Sequence, residues 1–533
     1  MSVTSAGALL RPQPPTVEPA PPRSRLKPLA HPVVLAMLAT AALAALWMIA
    51  FPTAGTDLAA QIARADFAAH YPKSAYDFSW YGGIYPAGYS ILAPFLFGFG
   101  GTRMVTAGAA VACAGLITLL FTRHDVSRPY LAAGWIALGL WTGLISGRAT
   151  FTLGLAASVA AVVLIDTRWP ALPVRLAGAA GLAALSSLFS PVAGVFTGVA
   201  AAAFLLTGQR RDGILLGVCA GLPLAVVGLL FGTGGVQTME WFNAIPAMIV
   251  SVLVFLWVPR DWKAVRAGAL VYTVGVLATW IVPTAMGSNV ERLGMLLAGP
   301  LLVAAGTGDR RRALFVFGVV GAIVWQAVSP IRDLAHSDAP LTSPASTAPL
   351  IHELVQLHAG RARVEAVPQY GHWESQQLSA TVPLARGWER QMDTVRNPLF
   401  YEGQLTPAAY HRWLSENAVH YVAISSAKPD YAAKTESDIV RAGQPWLIPV
   451  WHDADWQLYR VSGTSPLAEA PARVTATTPA TISISMPSAG STLVRVRWSR
   501  YLKATGGGTV RRAGDWTRLT VPHAGRYVLS ASY

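Results

Sequence analysis

Eleven apolar runs between His31 and Ser329 constrain this chain more than any other feature of its sequence. A membrane helix needs about 20 apolar residues, and each run reaches or approaches that length. The runs lie at residues 32–51, 104–121, 130–146, 150–166, 175–190, 192–207, 213–231, 242–258, 267–283, 290–306 and 313–329. They predict a polytopic α-helical membrane protein of about 11 spans. Only 13% of the residues are charged, against about 25% in a typical soluble domain.

Basic residues predict the orientation of these spans. With the N-terminus in the cytoplasm, 15 basic residues fall in the inner segments and 5 in the outer ones, as the positive-inside rule requires. We therefore expect a multi-pass protein of the cell (plasma) membrane with a cytoplasmic N-terminus and an extracytoplasmic C-terminal domain. The run Pro86–Gly100 fits this pattern only as a re-entrant or surface-lying helix. The net charge of +14 is then a matter of topology, and we expect no nucleic-acid partner.

Composition shifts along the chain predict its organisation. Short alternating stretches after residue 470 are typical of strands, and a Pro/Ser/Thr-rich stretch before residue 350 is typical of a linker. The C-terminal part is expected to be a separate soluble unit that folds on its own. The predicted parts are a disordered cytoplasmic tail (1–30), a transmembrane domain (31–330) with a long first outer loop (52–102), a linker (331–349), an extracytoplasmic α/β domain (350–465) and a β-rich, sandwich-like module (470–533).

Carboxylates of the long outer loop are the first candidates for chemistry. The sequence has no P-loop, zinc-type His/Cys spacing, GxSxG motif or dinucleotide fingerprint, which argues against an ATP-driven or redox enzyme. Asp57 follows the first span closely, where a carboxylate can act as a general base. An equally good interpretation makes Thr56 or Asp57 the N-cap of the amphipathic segment LAAQIARADFAAHY. Asp66 and His70 in that segment form either half of a metal site or, more simply, a surface pair.

Two outer arginines are candidates for phosphate binding. Arg148 lies in the turn SGRAT and Arg292 at the outer mouth of the tenth run. Arginine binds phosphate bidentately, and a lipid phosphate lies at this depth. The alternative for both is that they extend to the membrane interface without binding a ligand.

These features together resemble the GT-C superfamily of membrane glycosyltransferases, which use polyprenyl-phosphate-linked sugars on the outer membrane face. The resemblance rests on GTD with Asp57 after the first span, an amphipathic loop helix, the entry WYGGIYPAGYSILAPFLF to a partly embedded helix, Arg292 near a late outer end, and a soluble outer domain. It covers roughly residues 31–330. The phrases PLARGWERQMDTVRNPLFY and YHRWLSENAVHYVAIS are similar to those in membrane proteins of actinobacteria.

The resemblance implies an inverting sugar transfer to a cell-envelope glycan. It implies Asp57 as the catalytic base, with support in the outer loop from Asp66, His70, Asp77 and Tyr85. Arg292 and Arg148 would bind the donor phosphate. The implied partners are membrane lipid, a polyprenyl-phosphate sugar as donor substrate, and a cell-envelope glycan. No cofactor or metal ligand set is assigned, and a divalent metal stays an open alternative, because Thr56 and Leu58 replace the second acid that many members carry beside the first.

Two other classes of function are kept beside this one. A multi-pass transporter would bind its substrate near the middle of the membrane, with broken helices and intramembrane charges. The apolar runs carry almost no ionisable residue away from their ends, which weighs against transport. A non-catalytic envelope scaffold whose tail binds glycan is the other alternative.

Overall fold

A computed structural model describes residues 31–533 apart from 233–234, 307–311, 338–340 and 533. The predicted disordered tail at 1–30 lies outside the described residues. In chain order the first thirteen helices are α1 (Pro32–Ala50), α2 (Leu58–His70), α3 (Ala93–Gly100), α4 (Thr102–Arg123), α5 (Pro129–Ile145), α6 (Ala149–Asp166), α7 (Leu172–Phe189), α8 (Pro191–Leu206), α9 (Arg210–Phe231), α10 (Trp241–Trp257), α11 (Lys263–Ile281), α12 (Glu291–Ala305) and α13 (Arg312–Ala335).

Eleven of these helices coincide with the eleven apolar runs, and α2 and α3 belong to the long outer loop. Within the described residues, seven helices are long and apolar enough to cross a membrane, and three shorter apolar helices lie among them. The chain is therefore a polytopic α-helical membrane protein, as predicted. The count of eleven spans stays a prediction, because α12 and the three shorter helices are shorter than a full span.

The corner between α7 and α8 shows how the sequence separates two adjacent apolar helices. The Ser190 hydroxyl accepts a hydrogen bond from Ala193 N, and Pro191 occupies the first helical position. Serine and proline are favoured at these two positions, since one satisfies a free N–H and the other needs none. The apolar run Pro86–Gly100 is likewise divided, into a 3-10 turn at Pro86–Gly88 and the short helix α3.

The predicted linker 331–349 is largely helical. Helix α13 continues to Ala335, and α14 already begins at Pro344. The Ser343 hydroxyl accepts from Ser346 N at 3.3 Å, so the Ser-Pro pair that suggested a linker is instead an N-cap followed by a first-turn proline. The membrane helices are thus joined to the tail by a short connection.

The tail contains two sheet-based parts. The first holds α14 (Pro344–Gln356), β1 (Arg363–Ala366), α15 (Trp373–Gln377), α16 (Arg390–Arg396), α17 (Pro407–Glu416), β2 (Val419–Ser425), α18 (Lys434–Arg441), β3 (Leu447–His452) and β4 (Trp456–Val461). Its sheet has the order β1-β2-β4-β3, and only the β1–β2 pair is parallel. Helices and strands alternate in this part, in agreement with the predicted α/β character.

The second part is all-β, as its alternating sequence predicts. Its strands are β5 (Arg473–Thr478), β6 (Thr481–Met486), β7 (Gly490–Arg497), β8 (Leu502–Ala504), β9 (Thr509–Ala513), β10 (Trp516–Val521) and β11 (Gly525–Ala531). They form two antiparallel sheets, of order β5-β6-β11-β8 and β7-β10-β9. Alternate residues of both sheets meet in one apolar core, which includes Ile484, Val494, Leu519 and Leu529.

The long outer loop supplies core residues to both parts of the tail, which is contrary to the expectation of a separate unit. Trp80 is 1% exposed and donates from Nε1 to Ser375 O at 3.1 Å. Tyr76 and Phe78 are buried in the core of the β-rich part, and Arg497 N donates to Gly82 O. Membrane domain, loop and tail are therefore packed together, which positions the site described next.

Candidate active site

A cavity of about 730 Å³ lies between the tail and the ends of the membrane helices that face it. This volume is in the range of small-molecule sites. The walls are strongly polar, with seven basic and four acidic side chains. These are Arg64, Arg148, Arg292, Arg332, Arg390, Lys428 and Lys434, with Asp57, Asp333, Glu389 and Asp430.

Asp57 and Arg292 face each other on the membrane side of this cavity. Arg292 Nη2 donates to Asp57 Oδ2 at 3.0 Å, with side chains 11% and 27% exposed. Asp57 immediately precedes α2, but it has helical backbone angles and makes no side-chain capping hydrogen bond. The capping interpretation of the Asp57 carboxylate is therefore not supported. The carboxylate is ion-paired and remains open to the cavity.

Arg148 is brought to the same place by a tight turn between α5 and α6. Gly147 has φ +74°, and a Cβ there would lie 2.5 Å from Leu58 N, so only glycine allows this turn to approach the start of α2. Arg148 Nη2 lies 3.4 Å from Ser329 Oγ on α13. Within the described residues, neither Arg148 nor the neighbouring Arg332 has an ion pair with a carboxylate. The site therefore has positive charge available for an anion.

A second cavity of about 630 Å³ meets the first one at the arginines. The two share six lining residues, which are Arg148, Ser288, Asn289, Arg292, Ser329 and Arg332. Its remaining walls are mostly apolar side chains of α10, α12 and α13. Phe317 and Val324 on α13 are 66% and 59% exposed, on a helix apolar enough to cross a membrane. A groove with lipid-facing apolar walls thus leads to a cluster of guanidinium groups.

The tail side of the main cavity is a preorganised aromatic and charged cluster. Arg390 donates to both carboxylate oxygens of Asp430, at 2.9 and 2.8 Å. The Arg390 guanidinium lies 4.7 Å from the Trp388 ring centroid, and His372 stacks on that ring with centroids 3.3 Å apart. These contacts hold the Trp388 ring in a fixed position at the cavity wall.

The pKa values of Asp430 and His372 in this cluster are shifted by the charged groups that each of them contacts. Burial by itself would raise the pKa of Asp430, but His372 and Arg390 outweigh burial and hold that pKa well below its ordinary value. Burial by itself would lower the pKa of His372, yet Asp430 and Glu374 outweigh it and the pKa lies above the ordinary value. The cluster therefore favours the ionised form of Asp430 and the protonated form of His372.

The outer loop is held against the tail at the edge of the cavity. Arg64 Nη2 donates to Glu389 Oε2 at 2.6 Å, and the two side chains are 6% and 11% exposed. The Arg64 guanidinium also lies 4.7 Å from the Tyr89 ring centroid. This buried pair fixes α2, and with it Asp57, relative to the tail.

Of the seven residues predicted for the site, the structure brings Asp57, Arg148 and Arg292 together and places the other four elsewhere. Asp66 accepts from Gln376 Nε2 at 3.3 Å, outside the cavity, and burial raises its pKa. His70 Nδ1 contacts the main-chain oxygen of Asp66 rather than its carboxylate. Among the residues that the structure describes, no group of three His, Cys, Asp or Glu side chains could hold a metal ion.

Asp77 and Tyr85 belong to the packing of the outer loop. Asp77 is 7% exposed and accepts from Ser79 N at 2.8 Å, and burial raises its pKa to about 6. Tyr85 packs edge-on against Tyr76. Both side chains lie outside the main cavity.

Several lining residues escaped prediction. The segment IRDLAH at the end of α13 places Arg332, Asp333 and His336 in the cavity. Three ionisable residues within five positions at the end of an apolar helix are a usable signal of a site, but the composition of residues 331–349 favours a linker. Tyr370 of the tail carries no comparable local signal.

Comparison with known proteins gives a likeness of fold. No family model and no curated protein sequence matches the chain. Among solved structures it is similar to ArnT from Cupriavidus metallidurans bound to undecaprenyl phosphate, with 14% identity, a TM-score of 0.43 and coverage of 82% of this chain and 99% of that one. It is also similar to the arabinofuranosyltransferase AftD from mycobacteria, with 14% identity, a TM-score of 0.44 and coverage of 94% and 60%. Both similarities are at low sequence identity, and the function of this chain has to be argued from its own side chains.

Proposed function

We propose that this protein is a membrane glycosyltransferase that moves a sugar from a polyprenyl-phosphate donor to a cell-envelope glycan on the outer membrane face. One observation carries the proposal: a polar cavity and a lipid-facing apolar groove meet at Arg148 and Arg292, beside the open carboxylate of Asp57. An amphiphile with a long apolar chain and an anionic head matches that junction.

The donor would lie with its chain in the groove and its phosphate at the junction. Guanidinium groups bind phosphate oxygens bidentately, and a site between apolar walls and guanidinium groups accepts both halves of such a molecule. The sugar would then extend into the main cavity, toward Trp388. The acceptor would enter from the water-filled side.

Asp57 is proposed as the general base of an inverting transfer. The acceptor hydroxyl gives its proton to Asp57 while its oxygen attacks the anomeric carbon of the donor. The bond between that carbon and the phosphate oxygen breaks, and the lipid phosphate leaves with the electron pair. Arg292 and Arg148 stabilise the departing charge. Since Arg292 is ion-paired with Asp57 in the structure, the arriving phosphate competes for that guanidinium and leaves the carboxylate free to accept a proton.

Neither alternative class gains support from a specific observation. The polar cavity lies at the outer ends of the helices, between them and the tail, whereas a transporter binds near the middle of the membrane. A glycan-binding scaffold would not need the guanidinium groups at the end of an apolar groove. In this proposal the tail lies on the extracytoplasmic side of the membrane, as the distribution of basic residues predicts.

Transfer of a labelled sugar from a polyprenyl-phosphate donor to envelope acceptor, measured in membranes, tests the proposal. Asp57→Asn should leave the protein folded and reduce transfer about 100-fold or more, the usual scale for a lost general base. Asp66→Asn, in the helix that follows Asp57 but outside the cavity, is the matched control and should retain transfer. Arg292→Lys keeps the charge but loses bidentate geometry, so it should weaken donor use. Full transfer by Asp57→Asn would remove the assigned base, and full transfer by both site variants would remove the proposed enzyme.

A further inference from the structure

The β-rich part of the tail is far more basic than the rest of the chain. Residues 470–533 hold nine basic residues and one acidic residue, so 64 residues carry a net +8 of the total +14. The basic residues are Arg473, Arg495, Arg497, Arg500, Lys503, Arg511, Arg512, Arg518 and Arg526. The single acid, Asp515, is already paired with Arg497 at 2.6 Å. This part therefore has a large uncompensated charge.

Strand register collects part of this charge on one sheet face. In the sheet β7-β10-β9, Arg518 lies directly opposite Arg511 on the neighbouring antiparallel strand, and both are exposed. Residues directly opposite each other share a face, with Cβ atoms about 5 Å apart, and like charges in this position destabilise a sheet. Within the described residues neither arginine has a carboxylate partner. The folded sheet thus holds two neighbouring positive charges that an anion would neutralise.

The same face carries hydroxyl groups beside the arginines. Thr520 lies opposite Thr509 on one side and Ser491 on the other, and the Ser491 and Thr520 hydroxyls are 2.7 Å apart. All three are exposed. Guanidinium groups and hydroxyls together can bind the acidic groups and the hydroxyls of a sugar chain.

The small number of exposed apolar side chains on this face favours a sugar polymer over a lipid surface as its partner. A surface that inserts into a membrane combines basic residues with exposed large apolar ones. In the described residues of this part, the exposed large apolar side chain is Trp498, which lies beyond the end of β7 and is 37% exposed. The sheet contacts the outer loop at the C-terminal end of β7, where Arg497 N donates to Gly82 O. Arg497 pairs with Trp516 on β10, and the pair Arg518–Arg511 lies two residues farther along β10. The charged face therefore extends away from that contact.

We propose that the β7-β10-β9 face, through Arg511 and Arg518, binds an anionic polysaccharide of the cell envelope. This proposal rests on the proposed function for its biological setting, and it names the acceptor class as a glycan that bears phosphate or carboxylate groups. The polymer would be held near the cavity, because the sheet is connected to the cavity wall through the outer loop. Gly82 of that loop contacts the sheet. Its neighbour Tyr81 accepts a hydrogen bond at 3.1 Å from Glu389 N, and Glu389 lines the cavity.

Binding of dextran sulfate to the full-length protein in nanodiscs of neutral lipid tests this inference, with neutral dextran of equal length as the reference probe. We expect dextran sulfate to bind, neutral dextran to bind far more weakly, and added salt to weaken binding. The double variant Arg511→Gln/Arg518→Gln should bind dextran sulfate about tenfold more weakly, since it removes two charged contacts to the polymer. The matched control Arg473→Gln/Arg526→Gln removes the same charge from the other sheet and should change affinity less than twofold.

Each other outcome overturns the inference. Equal losses in the two double variants would show attraction by net charge alone, and equal binding of the two dextrans would show that charge is not recognised. Binding of vesicles with anionic lipid that depends on Arg511 and Arg518, with dextran sulfate binding unchanged, would make a membrane the partner. A thermal melt of each variant shows that the sheet is folded. Transfer to a short soluble acceptor should be unaffected by Arg511→Gln/Arg518→Gln, so failure here and failure of the glycosyltransferase proposal are distinguishable.

Discussion

The buried pair Arg64–Glu389 should act as the clamp between α2 and the tail. The Arg64 side chain is only 6% exposed, and Glu389→Gln removes the carboxylate that neutralises it. Arg64 Nε and Nη1 have no hydrogen-bond partner in the described residues. Two opposite charges about 4 Å apart attract by about 4 kcal/mol at an effective dielectric constant of 20. Removal of one partner of a buried pair costs about 3–5 kcal/mol. We therefore expect the free energy of opening between α2 and the tail to fall by about 3 kcal/mol.

Hydrogen exchange of the α2 amides in the full-length protein measures this opening. A loss of about 3 kcal/mol makes exchange about 100-fold faster. Arg64→Met should also destabilise, because it leaves Glu389 buried and unpaired. The double variant Arg64→Met/Glu389→Gln has no buried charge left and should be less destabilised than the sum of the two single variants. Strictly additive effects, or a change under about 0.5 kcal/mol in Glu389→Gln, would refute the clamp.

Two further predictions concern the outer loop and the topology. Burial raises the pKa of Asp77 from 3.8 to about 6, so the folded state holds this proton more tightly than the unfolded state; the resulting stability is fully present below pH 3.8 and is lost as the pH rises through about 6. Asp77→Asn should therefore be more stable than the wild type at pH 7, by roughly 2–3 kcal/mol, and similar to it at pH 4. Melting curves of both proteins from pH 4 to 8 check this prediction. An equal pH dependence of the two proteins would contradict it. A reporter fused after Gly463 should be extracytoplasmic and one fused within residues 310–312 cytoplasmic, whereas both on one side would mean that the span count is wrong by one.

The membrane helices were predictable because each is specified by its own stretch of sequence. A long run of apolar residues in a membrane forms a helix independently of the rest of the chain, because its backbone hydrogen bonds must be satisfied within the run. All eleven runs are helices in the structure. Strands of the β-rich part were predictable for a similar reason, since alternation of apolar and polar residues is local. Ser343 and Pro344 misled the prediction because a capping pair and a linker share their composition.

Part of the site was predictable for a different reason. Asp57, Arg148 and Arg292 follow or begin apolar helices, so the predicted topology alone places them at the same end of the helices. Trp388 and Asp430 come from the tail, where no periodicity indicates which residues face the membrane domain. The basic sheet face is not apparent from the overall charge distribution, because the acidic residues of 350–469 offset the basic residues that follow them.

The sharing of the outer loop between membrane domain and tail has a consequence for biosynthesis. Contacts such as Trp80 with Ser375 and Ser74 with Ala531 join residues 295 and 457 positions apart. At about 5–20 residues per second, the loop has to wait roughly 15–90 s for its partners to be synthesised. During that interval Tyr76, Phe78 and Trp80 lack the cover they have in the folded protein, where they are 1–3% exposed. A chain that stops short of β11 lacks part of the core that buries Tyr76 and Phe78, so we expect this aromatic segment to be more accessible to proteases in such a truncated chain.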